Sequence, residues 1–295
     1  MPSNFEIQMG LAIVGYPAVA AGIGVLAARI AKPQSPLRQA ALAAAATAGL
    51  VTSHIALANM PKWPPVDSIG WIPITTVLVG VVAIMLALFA DKRRFAAPVI
   101  AVAAAAALYF AGKPTFARGI GQFLPIGLGA LIIVGGNVAG AAAVGRKAFP
   151  LASWLTMLIT AAIAGLCALW TPSALMAMLL GSMATTAGAL GIGGLVLRIN
   201  EPAPLAQGVF LSHLGATLVY THLYAKLPTL PLVLLGAAVA LPTLVALIPG
   251  DTTKQRWIRA VAAVAIAASC AGAAALIMHS KIAAEKSDPS NMYGG

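Results

Sequence analysis

The sequence predicts an all-α integral membrane protein, a polytopic bundle of about ten transmembrane helices joined by short loops, and three observations predict it. Of 295 residues, 60% are hydrophobic and 8% charged, against about 25% charged in soluble domains. Mean hydropathy is +0.94. The apolar residues gather into continuous runs mostly about 20 residues long, the length at which a helix rising about 1.5 Å per residue crosses a hydrocarbon core of about 30 Å. This composition excludes a soluble enzyme, a disordered chain and a secreted disulfide scaffold. Cys167 and Cys270 lie in separate runs, without CxxC or zinc spacing, and read as small buried residues.

The ten runs are expected at 8–31, 40–60, 72–90, 95–112, 123–144, 151–170, 173–197, 205–224, 230–248 and 257–279. Helix is preferred to strand because no run alternates as a lipid-facing barrel strand does, and a helix satisfies its own backbone hydrogen bonds in lipid. The connections hold the breakers and charges. Ala31-Lys32-Pro33-Gln34-Ser35-Pro36 follows the first run, Asp91-Lys92-Arg93-Arg94 the third, Gly145-Arg146-Lys147 the fifth and Pro249-Gly250-Asp251 the ninth. The fourth run is short and alanine-rich. Thr171-Pro172-Ser173, between the sixth and seventh, reads as a tight hairpin with Thr171 as a cap. In the ninth run Pro242 lies past the midpoint and predicts a kink.

No connection exceeds about a dozen residues, too few for a soluble domain. Residues 8–279 therefore form one transmembrane domain. It lies between a short outer tail at 1–7 and a polar tail at 280–295 that is expected to be disordered. Residues 1–7 carry no cation ahead of the first run, which is not read as a cleaved signal peptide.

In a membrane protein, placement matters more than the net charge of +11, so nucleic acid is not an expected partner. With ten spans, one face holds Arg29, Lys32, Arg38, Lys92, Arg93, Arg94, Arg146, Lys147, Arg198, Lys254, Arg256 and Arg259. The other holds Lys62, Lys113, Arg118, Lys226, Lys281 and Lys286. The positive-inside rule places the first face in the cytoplasm and both termini outside a plasma (cytoplasmic) membrane. Tryptophan prefers the interface, and Trp63, Trp71 and Trp170 fall at the outer rim, with Trp154 and Trp257 at the inner one. All seven carboxylates, Glu6, Asp67, Asp91, Glu201, Asp251, Glu285 and Asp288, fall in loops or tails. That argues against a carboxylate proton relay or a charge-lined pore.

Polar chemistry inside the bundle thus falls to uncharged groups. The eighth run is the most polar, and at about 100° per residue His213, Thr217, Tyr220 and Tyr224 share one of its faces. Such a stripe either lines a solute path or hydrogen-bonds neighbouring helices. Asn137, beside Gly135 and Gly136 in the fifth run, and the glycines Gly188, Gly191, Gly193 and Gly194 of the seventh allow two readings. They mark either a broken-helix binding site or close small-residue packing. His54, His222 and His279 are expected in the outer third, near the level of Asp67. Two of these histidines could ligate a haem, and His with Asp67 could hold a divalent metal. The alternative is interfacial histidines bonded locally, with no cofactor. No Ser/His or carboxylate pairing within the runs points to an intramembrane enzyme.

The longest outer loop, MPKWPPVDSIGWIP at 60–73, is stiffened by four prolines, and Asp67 or Ser68 is placed to cap the helix that follows. Its WPP, followed by an acid and a second Trp, is similar to a segment of uncharacterised bacterial multi-pass membrane proteins. About 25 residues carry the resemblance, and it implies no activity and no site.

Two functions are expected. One is a small-solute transporter or permease for a neutral or anionic solute, without a carboxylate relay, its path lined by His213, Thr217, Tyr220, Tyr224 and Asn137. The other is a non-catalytic or haem-carrying subunit of a membrane complex, or a homo-oligomer, assembled through small-residue faces.

Overall fold

The computed structural model describes residues 4–60, 65, 67–89, 144–199 and 201–287, and all regular structure among them is helical. The chain enters through α1 (Asn4–Gly10), a π turn (Leu11–Gly15) and α2 (Tyr16–Ile30), stacked end to end as one span. Pro17 explains the π turn. Its ring would strike the carbonyl four residues back in an α-helix, and the wider turn, with Tyr16 N–H bonded to Leu11 O, relieves that contact.

After the loop, α3 (Pro36–Ala58) starts on a Ser35 cap, whose hydroxyl accepts from Arg38 N, with Pro36 in the first turn. It ends at Asn59, where a positive φ of 67° with an extended ψ of 168° takes the chain out of the helix. Asp67 caps α4 (Ser68–Phe89) by accepting from Gly70 N at 2.8 Å, one of the two caps expected there. A tight connection joins α5 (Pro150–Leu169) to α6 (Ala174–Val196), and these two helices pack along their lengths. The Thr171 hydroxyl donates back to Ala168 O instead of capping α6. Next come α7 (Pro204–Tyr224) and α8 (Thr229–Ala240). At Leu241 the chain passes into a 3-10 helix (Leu241–Leu247) with Pro242 in its first turn, where the kink is expected. The last helix, α9 (Thr253–Ser287), extends past the expected span end at His279, so the described part of the 280–295 tail is helical.

Among the described residues, seven stretches are long and apolar enough to cross a membrane: Phe5–Ile30, α3, Ile69–Phe89, α5, α6, Thr229–Leu247 and Thr253–Ala284. They coincide with seven of the expected ten runs. The eighth expected run is α7, long enough at 21 residues but more polar. The fourth run, and the fifth up to residue 143, lie outside the described residues, and so does Asn137.

Packing explains how α7 tolerates its polarity. It touches α3, α4, α5, α6 and α8, and Gln207, Thr217 and Thr221 on it are fully buried. A helix screened from lipid by other helices can carry hydroxyls and an imidazole at little cost. α3 is the other hub, against α2, α4, α6 and α7, while α9 lies on α5, α8 and the 3-10 turn.

The cation-bearing loops meet at one rim. Arg38 Nη1 pairs with Glu201 Oε1 at 2.6 Å and donates through Nε to Ala28 O and through Nη2 to Ala31 O, tying the α2–α3 loop to the start of α7. Nearby, Arg259 is 1% exposed and donates to Lys147 O, Ile248 O and Gly250 O.

Candidate functional site

Where α3, α4 and α7 meet, a polar cluster is enclosed. His213 and His54 are 2% and 1% exposed, and their rings meet edge to face with centroids 5.7 Å apart. His213 Nδ1 lies 2.6 Å from Thr76 Oγ1 on α4. The ring of His54 lies near the Ile69 backbone carbonyl. That carbonyl is open because the residue four positions on is Pro73, which has no N–H to give it. His54 Nδ1 has no hydrogen-bond partner among the described residues.

Deeper along α3 and α6, the hydroxyls of Ser182 and Ser53 lie 3.1 Å apart, each also within reach of a carbonyl of its own helix, Leu179 O and Leu50 O. Nearer the cation-rich rim, Gln207 Nε2 donates to Ser153 Oγ at 2.6 Å. Since Ser153 gives its own proton to Pro150 O, it must accept here. The Gln207 amide orientation is thereby set, and its Oε1 is buried without a partner. Gln39 repeats the pattern, with Nε2 donating to Pro202 O and Oε1 unpartnered. Along α3 and α7 these groups fall at successive heights as a seam of separate clusters, with Asp67 and Tyr220 at one end, then the two histidines, and Gln207, Gln39 and the Arg38–Glu201 pair toward the other. Among the described residues three of its buried side-chain atoms have no hydrogen-bond partner.

Burial falls off along the expected common face of α7 toward the end of the helix. His213 and Thr217 are buried, and Thr217 Oγ1 donates to His213 O. Tyr220 is half-buried and stacks on Tyr224, 4.5 Å between centroids, at the end of the helix where Tyr224 is 41% exposed. The three histidines expected at one level go separate ways. His54 joins His213, His222 Nδ1 closes the end of α7 on Leu227 O at 2.6 Å, and His279 packs against Trp170. Asp67 is close enough to act electrostatically on both His54 and Tyr220. Among the described residues no three His, Cys, Asp or Glu side chains gather as a metal site would require. The glycine-rich seventh run holds no break: α6 is continuous through Gly188, Gly191 and Gly194. A Cβ at Gly191 would come 2.9 Å from that of Trp154, so small-residue packing accounts for this glycine. Trp154, expected at the interface, is 5% exposed, with its ring edge on Phe210.

Thr76, Ser53, Ser182, Ser153 and Gln39 are site residues that reading the runs one at a time misses. The signal was present as isolated hydroxyls and amides within apolar helices, each on a different run. A large apolar cavity lies elsewhere, beside α9.

Fold and site together define a multi-pass helical membrane protein with an enclosed polar seam. No protein-family model, curated protein or solved structure matches the chain.

Proposed function

We propose that the protein transports a small uncharged solute bearing N–H or O–H groups, with the seam along α3 and α7 as its path. The observation that carries this reading is the set of three buried atoms, His54 Nδ1, Gln207 Oε1 and Gln39 Oε1, that have no hydrogen-bond partner among the described residues. Leaving such an atom unserved costs about 1–3 kcal/mol each, and water or a donor-bearing solute entering the seam would offset it. A cationic solute is disfavoured, because among the described residues the two carboxylates beside the seam are already engaged, Asp67 as a helix cap and Glu201 in the ion pair with Arg38. The cation-rich rim faces the cytoplasm in this reading, with both termini outside the plasma membrane.

The test is stopped-flow swelling of proteoliposomes with glycerol, urea and formamide. The protein should raise permeation of at least one of them, and His213→Ala or Gln207→Leu should lower that rate about tenfold. Permeation equal to that of protein-free vesicles for all three removes the transport reading. Full permeation in well-folded variants removes the seam from it.

A further inference from the structure

A cavity of about 780 Å³ opens beside the start of α9, bounded by α5, the end of α6 and the loop leading to α7. Its lining runs along α9 from Arg256 to Ala268, about 18 Å of helix, which is close to the depth of one leaflet of a core about 30 Å thick. The walls are apolar, and the cavity opens to the lipid-facing surface, where Leu195, Trp257 and Val261 are 55%, 60% and 65% exposed.

Two charged residues stand at its mouth. Glu201 is already neutralised, its Oε1 by Arg38 and its Oε2 by Gln34 N–H. Arg256 is not. Its Nε donates to Ala148 O at 2.9 Å and its guanidinium lies 4.8 Å over the Phe149 ring. Among the described residues it forms no ion pair, and its two terminal nitrogens make no hydrogen bond. Arg259 and Lys147 at the same rim each have Asp251 within 3.8 Å. A leaflet-deep apolar groove, open to lipid and headed by a guanidinium with no ion pair among the described residues, matches a lipid carrying net negative charge. Arginine binds phosphate oxygens through paired N–H donors, and Trp257 beside it suits the headgroup boundary.

We propose that this groove is a binding site for an anionic phospholipid, one acyl chain lying along α9 and the phosphate held by Arg256. It is independent of the transport reading, because the groove shares none of the seam's unpartnered atoms.

Trp257 at the mouth reports occupancy. The full chain is reconstituted in phosphatidylcholine vesicles doped with a minor fraction of brominated phosphatidylglycerol or, in parallel, the same fraction of brominated phosphatidylcholine. Trp257→Phe identifies the Trp257 contribution. Phosphatidylglycerol should be preferred about fivefold, the factor expected for one basic residue near the surface. Arg256→Gln should remove the preference, while Arg256→Lys and Lys254→Gln, the latter altering a cation outside the groove, should keep most of it. Gly194→Leu should lower quenching by both lipids. A Cβ there meets only Ile199 O, at 3.8 Å, so the side chain fills the groove without a clash at its root. Equal quenching by both lipids, or a preference that survives Arg256→Gln, overturns the proposal. So does a preference lost equally in Lys254→Gln, which would reduce it to general surface charge, or quenching unchanged in Gly194→Leu.

Discussion

A hydroxyl carries one proton, and at Thr76 two acceptors stand within reach of it: Ile72 O at 2.8 Å and His213 Nδ1 at 2.6 Å. When the proton goes to Ile72 O, the Thr76 oxygen accepts from Nδ1–H, and His213 Nε2 is left as an acceptor. When it goes to Nδ1, the ring carries its hydrogen on Nε2. The one contact therefore serves either neutral tautomer. Thr76→Val keeps the shape and removes both options, orphaning a nitrogen in a residue 2% exposed. The expected loss is about 1–2 kcal/mol, at the upper end for interhelical hydrogen bonds in membranes because a buried partner is left unserved. Unfolding in bicelles should read it, and Thr76→Ser should restore most of it; a Val variant as stable as the wild type would show that the bond contributes nothing. His213 and Thr217 were legible as a polar face because they lie four residues apart on one helix. Thr76 was not, since its partner lies 137 residues away and no local periodicity encodes that meeting.

At the scale of elements, α3 is gripped through absent side chains. A Cβ on Gly24 of α2 would overlap Ala45, and one on Gly80 of α4 would overlap the Thr47 side chain. On α3 itself, a Cβ at Gly49 would come 2.8 Å from Thr186 Cγ2 of α6. These approaches hold α4 close enough for Thr76 to reach His213. Gly80→Leu should push α4 away and cost about 1–3 kcal/mol, as overpacking does, seen as lower thermal stability of the purified protein. Gly22→Leu, on a helix position where a Cβ meets nothing within 4 Å, should be near neutral. If the two behave alike, close packing at Gly80 is not what positions α4. Glycine content is visible in sequence, yet it does not separate a break from a contact. In α6 the contact prevails, since the helix keeps its own backbone bonds through Gly188, Gly191 and Gly194, as a chain in lipid must.

For the whole molecule, the two rims differ in chemistry. Arg38–Glu201 and the Gln39–Pro202 bond set the start of α3 beside that of α7, so the two helices run in the same direction, and Lys32 and Lys226 lie at opposite ends of the bundle. Both are exposed. With Cys167 and Cys270 replaced by alanine, Lys226→Cys should react with an impermeant maleimide on intact cells. Lys32→Cys should react only after permeabilisation. The reverse pattern would invert the orientation drawn from the cation count. Membrane class, helical spans and the placing of charge at the rims follow from composition and run length alone, because the transfer of apolar and charged groups between water and lipid is a property of each segment by itself. Tertiary packing decided the rest. His54 meets His213 rather than His222, and α7 is enclosed rather than bathed in lipid. These outcomes depend on which helices touch and at what height, and that is settled by side chains brought together from distant parts of the chain.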